Sequence, residues 1–65
     1  MTAYQQSITK AVQVSQTLCG EVYASHKAVC EADGSELVQL TLLDLIATTV
    51  RIRNTLEVLQ REAMR

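Results

Sequence analysis

The sequence contains a single break between two long segments that favour helix. Proline is absent, and the only cluster of turn-forming residues is Ala32-Asp33-Gly34-Ser35. Gly34 is the residue type that most often follows the end of a helix, and Ser35 is a favoured cap for the start of the next one. Thr2 and Gln5 have the spacing of a capping box. The sequence therefore predicts two helices, at about 3–32 and 35–63, joined by a short loop.

Each predicted helix carries a row of mostly apolar residues with alternating steps of four and three. The rows are Tyr4, Ile8, Ala11, Ser15, Leu18, Val22, Ser25 and Val29, followed by Val38, Leu42, Leu45, Thr49, Ile52, Leu56, Leu59 and Ala63. This 3.5-residue period is typical of helices that pack side by side at a shallow angle, and a short loop makes two such helices antiparallel. The predicted fold class is all-α, a two-helix antiparallel hairpin forming a single domain over residues 1–65.

The small size of the chain limits its core. A domain of 65 residues buries only roughly 60% of the surface of its unfolded chain. Phenylalanine and tryptophan are absent, so the core must be built from aliphatic side chains. We therefore expect the hairpin to be completed by a partner or by dimerisation.

The second helix carries more apolar residues than one neighbouring helix can cover. We expect Val38, Leu42, Leu45, Ile52, Leu56 and Leu59 to close the hairpin. A neighbouring line then forms a partner-binding surface, unless the first helix rotates to cover both lines; it consists of Leu37, Leu40, Leu43, Ala47 and Val50. Contiguous exposed apolar residues usually mark a protein interface.

Gly20 lies inside the first predicted helix, where glycine costs about 1 kcal/mol relative to alanine. Folding about the loop brings it near Ala47, Thr48 and Thr49, so small residues on both sides predict a close approach of the helices. The alternative is a tolerated glycine with no contact role.

No arrangement of residues predicts a catalytic, cofactor or metal site. His26 and Cys30 are four residues apart and Cys19 lies on the same side of the helix, but structural zinc takes four ligands and no fourth is evident. The cysteines are expected to be reduced packing residues. The carboxylates are scattered, and a two-helix hairpin lacks a substrate-sized cleft, so we expect no enzymatic activity.

The charge balance argues against nucleic acid as the main partner, because six basic and seven acidic residues give a net charge of −1. Arg51, Arg53, Lys10 and Lys27 are the residues an RNA-binding alternative would use. The longest apolar stretch, 37–50, is shorter than the roughly 20 residues that cross a bilayer. The N-terminus does not resemble a secretory signal, which predicts a cytoplasmic location.

The hairpin resembles the very small co-chaperones of bacterial type III secretion needle proteins. The resemblance rests on chain length, the two-helix plan with its polar turn, and a leucine-rich second helix with Gln39-Leu40-Thr41-Leu42-Leu43 running on through Ile46 to Ile52. It implies a cytoplasmic heterodimer in which the second helix docks on a helical-repeat chaperone. The pair would keep a secreted needle subunit monomeric before export.

Two other interpretations remain open from the sequence. One is a self-associating homodimer, a four-helix bundle with a regulatory or RNA-binding role. The other is a structural segment of a secretion or phage assembly that polymerises through the same surface. All three interpretations use apolar surface left uncovered on the second helix.

Overall fold

The computed structural model describes all 65 residues and contains two α-helices. Helix α1 spans Ala3–Glu31 and helix α2 spans Glu36–Ala63. They pack against each other as an antiparallel hairpin with extents of 47 × 14 × 11 Å. The predicted all-α hairpin is confirmed, with helix boundaries within one residue of those predicted. Neither helix has a stretch long and apolar enough to span a membrane.

The start of α1 is capped as the sequence predicts. The backbone N–H of Gln5 donates to Thr2 Oγ1 at 3.3 Å, and the backbone N–H of Thr2 donates to Gln5 Oε1 at 2.9 Å. The amide of the same Gln5 side chain donates to the carbonyl of Ala63 at 2.7 Å. One side chain therefore closes the capping box and also ties the first turn of α1 to the last turn of α2.

The end of α1 differs from the prediction in the role of its glycine. The left-handed residue is Asp33, with φ at 53°, and Gly34 does not have positive φ. The N–H of Gly34 donates to the carbonyl of Val29 at 2.8 Å and that of Asp33 to Cys30 at 3.2 Å, which is a Schellman motif. A Cβ on Gly34 would lie 2.6 Å from Val29 Cγ1. Glycine is needed here because the chain passes close to Val29.

The start of α2 lacks the predicted side-chain cap. Ser35 occupies the N-cap position, but its side chain makes no capping hydrogen bond. The amide of Gln39 instead donates to the carbonyl of Gly34 at 2.9 Å, which ties the loop to the first turn of the helix. Glu36 places a negative charge at the positive end of α2.

The two helices meet along a seam that repeats every seven residues. The residues in it, all buried or half-buried, are Gln5, Ile8, Val12, Ser15, Cys19, Val22, His26 and Val29 on α1, and Gln39, Leu42, Ile46, Thr49, Arg53, Leu56, Gln60 and Ala63 on α2. The register is set by Gln5 against Ala63 and by Gln60, whose amide donates to Thr9 Oγ1 at 3.3 Å. Many of these side chains are polar, so the seam is a thin hydrophobic core.

The predicted apolar rows are therefore only half correct. Ile8, Ser15, Val22 and Val29 on α1, with Leu42, Thr49, Leu56 and Ala63 on α2, do lie in the seam. The other half of each seam is shifted by one residue, for example to Val12 instead of Ala11 and to Ile46 instead of Leu45. As a consequence, the prediction that Val38, Leu45, Ile52 and Leu59 close the hairpin is wrong, since all four are exposed.

The expected close helix contact at Gly20 is also absent. Gly20 is exposed, and a Cβ built on it would meet no atom within 4 Å. The small buried side chains lie elsewhere, at Ser15 and Thr49. Their hydroxyls donate to the carbonyls of Val12 and Ile46 within the same helix, so both are buried with their hydrogen-bond donors satisfied.

Candidate protein-interaction surfaces

The folded chain leaves most of its apolar side chains in contact with solvent. Val12 is the only buried hydrophobic residue. The accessible surface is 4752 Å², whereas a compact monomer of 7.2 kDa is expected to expose about 4,100 Å². Fourteen large hydrophobic side chains are exposed. The hairpin is thus an unusually open unit, and ten of these fourteen side chains belong to two surfaces.

The first surface combines one row from each helix, and we call it the uncharged face. Each of its residues precedes a seam residue by one position, and equal offsets from the seam put two rows of an antiparallel pair on the same side. The rows are Tyr4, Ala11, Leu18 and Ser25 on α1, and Val38, Leu45, Ile52 and Leu59 on α2. They are the half of the predicted rows that does not enter the seam.

The uncharged face is uncharged along its length, and all of its residues except the half-buried Ala11 are exposed. Its four α2 residues are between 43% and 48% exposed. None of the chain's 13 charged side chains, six basic and seven acidic, lies in its two rows. Isolated exposed leucines are ordinary on a protein surface, but a continuous apolar face along two helices is typical of an interface.

A row of threonines borders the uncharged face on α2. The hydroxyls of Thr41, Thr48 and Thr55 donate to the carbonyls four residues earlier, at 2.7, 3.0 and 2.9 Å respectively. Because each hydroxyl hydrogen is already bonded within the helix, a partner can cover these side chains without leaving a donor unpaired. The row of threonines thus extends the surface that a partner can bury with a small desolvation penalty.

The second surface is the line that the sequence predicts as partner-binding, and we call it the leucine patch. Leu37, Leu40, Leu43 and Ala47 are exposed and Val50 is half-buried. Leu37 is the most exposed of the three leucines, at 73%. Leu43 and Leu45 are two positions apart on α2, which is about 200° of rotation. The leucine patch and the uncharged face therefore lie on nearly opposite sides of the hairpin.

The leucine patch gains one residue that sequence reasoning did not assign to it, Tyr23 of α1. Tyr23 follows the seam residue Val22 by one position, as Leu43 follows Leu42, so both lie on the same side of the hairpin. The register set by Gln5 and Ala63 places Tyr23 level with Leu45 along the hairpin axis. Its side chain is 63% exposed, and exposed tyrosine is common in protein interfaces. The sequence feature that assigns Tyr23 to the patch is its position one residue after a seam residue. That feature can be recognised only when the seam is known.

The leucine patch is confined to the half of the hairpin nearest the loop. Leu40 and Ala47 belong to one seven-residue row of α2, and Leu43 and Val50 belong to another. Further along α2, the first row continues with Asn54 and Arg61 and the second with Glu57. Arg53 Nε lies 3.4 Å from Glu57 Oε1, so an ion pair stands where the patch ends. The patch therefore has a polar border on the side away from the loop, as interfaces commonly do.

The residues considered for metal or redox chemistry do not converge on a site. Cys30 Sγ lies 3.6 Å from His26 Nε2, whereas Cys19 lies in the seam seven residues before His26. Both cysteines are free thiols. No group of three or more histidine, cysteine and acidic side chains is placed to hold a metal ion.

The only depression on the surface does not form a cleft between the helices. It is an open groove of about 440 Å³ along α1, and it is lined by Lys10, Gln13, Val14, Thr17, Leu18 and Glu21. Glu21 is the only acidic side chain in it, and histidine and cysteine are absent. Lys10 and Glu21 are 11 positions apart on α1, about 16 Å along the helix axis, so the groove brings no acid–base pair together.

The basic residues that an RNA-binding alternative would use are dispersed. Arg53 lies in the seam and pairs with Glu57, while Arg51 is exposed on another side of α2. Lys10 and Lys27 are 17 positions apart on α1, near opposite ends of the hairpin. The structure therefore does not gather these four cations into one basic patch.

Comparison with protein-family models, with curated proteins and with solved structures finds no match to this chain. The fold class, an all-α helical hairpin, therefore rests on the structure itself. The exposed apolar surfaces are the features that bear on function.

Proposed function

We propose that this chain is a non-enzymatic interaction module that heterodimerises with a helical-repeat chaperone. In this role it acts in the cytoplasm as a small co-chaperone and stabilises a type III secretion needle subunit before export. The observation that carries the interaction role is the burial of a single hydrophobic side chain, Val12, in the isolated hairpin. The particular process follows from the resemblance of the chain to such co-chaperones.

The leucine patch supports a heterologous partner because it is asymmetric along the hairpin. It lies at the loop end, and most of it comes from α2. Burying one leucine side chain is worth roughly 1.5–3 kcal/mol. Leu37, Leu40 and Leu43 together would then contribute several kcal/mol before the costs of ordering are subtracted. That gain is comparable to the whole stability of a small domain.

A helical-repeat partner fits the shape of this surface. An exposed helix with apolar residues at spacings of three and four binds in a hydrophobic groove between other helices. Leu40, Leu43, Ala47 and Val50 have this spacing on α2. Helical-repeat proteins present extended concave surfaces built from helix pairs.

The test is co-purification of the tagged full-length chain from the cells that naturally produce it. We expect a helical-repeat protein and a small secreted subunit in amounts close to that of the chain, and we expect Leu43→Asp to abolish their recovery. Val58→Asp is the matched control, because Val58 is 50% exposed, against 48% for Leu43, and lies on α2 outside both surfaces. Far-UV circular dichroism should show that both variants remain helical.

Two results would count against the proposal in different ways. Unchanged recovery of the partners with Leu43→Asp would show that the leucine patch is not the binding surface. Recovery of stoichiometric partners that include no helical-repeat protein would refute the co-chaperone role and leave only a general interaction role.

A further inference from the structure

We propose that the uncharged face binds a second copy of this chain, so that two hairpins form a four-helix bundle. This surface lies on the side of the hairpin opposite the leucine patch, so the proposal does not depend on the heterologous partner. It assigns a role to the most apolar side of the molecule, which the proposed function leaves uncovered.

The apolar rows of both helices lie on one side of the hairpin, next to the seam. Leu45 lies four residues before Thr49 and Ile52 four before Leu56, so each residue of the face adjoins a seam residue on the helix surface. Another helix pair on this side would cover the face and the half-buried side chains behind it. Within the hairpin the seam contains polar groups such as Ser15 and Arg53. The larger hydrophobic core would therefore form between two hairpins.

The uncharged face is electrostatically compatible with the same face of a second copy. Two copies brought together along it meet no like-charge repulsion, because neither row contains a charged residue. Both copies also have the same seven-residue spacing, which lets the side chains of one interdigitate with those of the other at a shallow angle. A two-fold pair of identical surfaces closes without leaving an open end, so a dimer forms and not a polymer.

This side of the hairpin has enough area for a stable interface between two copies. The side of the hairpin that carries the face is 47 Å long and about 14 Å across, and the two rows of the face together run along most of that length. A pair of copies would thus bury roughly 1,300 Å², which lies within the range of about 1,200–2,000 Å² found for stable specific interfaces. The hairpin also exposes about 650 Å² more than a compact protein of its mass. Dimerisation would remove that excess.

The test is sedimentation equilibrium of the purified full-length chain across micromolar concentrations. We expect a mass twice the 7.2 kDa of one chain. Ile52→Asp should make the chain monomeric by raising the dissociation constant of the dimer roughly a hundredfold or more. Because the isolated monomer has little core, this variant is also made in a Gly20→Ala background, which favours helix. The milder Ile52→Ala should raise the dissociation constant roughly tenfold or more while the chain stays helical.

Two control variants separate this proposal from the proposed function. Val58→Asp and Leu43→Asp should both remain dimeric, and only Leu43→Asp should lose the heterologous partner. A wild-type chain that is monomeric at high micromolar concentration would overturn the dimer. So would dissociation caused by Leu43→Asp but not by Ile52→Asp, or equal dissociation by every variant. A dimer without any helical-repeat partner would refute the proposed function and leave this inference intact.

Discussion

The two glycines offer a matched test of the packing, because the same substitution should have opposite effects at the two positions. Gly20 lies within α1, and a Cβ there meets no atom within 4 Å. Gly20→Ala should therefore stabilise the chain by about 0.8–1 kcal/mol, which is the difference in helix propensity between the two residues. For a domain of this size, that corresponds to a rise in the melting temperature of roughly 4–8 °C.

Gly34→Ala should be destabilising because the new methyl group has no room. Its Cβ would lie 2.6 Å from Val29 Cγ1 and 3.2 Å from the Val29 carbonyl oxygen. Valine in a helix has one strongly preferred rotamer, so Val29 cannot simply turn away. Overpacking of this kind costs about 1–3 kcal/mol. The lower entropy of the unfolded alanine chain offsets about 0.4–1 kcal/mol, which leaves a net loss on the order of 1 kcal/mol.

The assay is thermal and urea unfolding followed by circular dichroism, with all variants at one chain concentration, since dimerisation makes the melting temperature depend on concentration. Destabilisation by Gly20→Ala would refute the assignment of Gly20 to an open surface. It would instead favour the close contact with Ala47, Thr48 and Thr49 that the sequence predicts. A neutral or stabilising Gly34→Ala would show that the loop does not approach Val29 as described.

Two further predictions concern the helix ends. Thr2→Ala should cost about 1 kcal/mol of stability by removing the cap of α1, whereas Ser35→Ala should be nearly neutral because the Ser35 side chain makes no capping hydrogen bond; equal losses in urea unfolding would contradict this. Gln5→Glu should keep the acceptor for the Thr2 N–H but lose the donor to the Ala63 carbonyl. It should also place a carboxylate at the negative end of α2, an effect partly offset by the positive end of α1, and the net cost should be about 1 kcal/mol. Amide hydrogen exchange in the last turn of α2 should then become faster, and unchanged exchange would show that the Gln5–Ala63 bond does not hold the helix ends together.

Local features of the sequence were sufficient to predict the secondary structure. The absence of proline and the single cluster at Ala32-Asp33-Gly34-Ser35 predict two helices and the position of the turn. The capping box of Thr2 and Gln5 depends only on residues three apart, and it forms as predicted. The details of the loop were less predictable. Asp33 adopts the left-handed conformation because the Schellman hydrogen bonds require it at that position, and Gly34 is then needed for its small size.

The partner-binding residues could be predicted only as exposed apolar candidates. The structure places Leu37, Leu40, Leu43 and Ala47 on the surface, with Val50 half-buried. Whether they bind a partner stays a prediction, because the structure of a single chain does not show which molecule covers these residues. Tyr23 could join them only once the seam between the helices was known, because its side depends on its offset from Val22.

The sequence by itself determined that two amphipathic helices form a hairpin with more apolar surface than the hairpin can bury. It did not determine which rows meet. Two alternative seams with a seven-residue repeat are possible, and both contain Ile8, Val22, Leu42 and Leu56. Hydrophobicity alone favours the seam that also contains Leu45 and Ile52. The tertiary structure selects the other register, in which small side chains such as Ser15 and Thr49 are buried between the helices and Gln5 bonds to Ala63. Only long-range packing distinguishes the two registers, because local helix formation is the same in both.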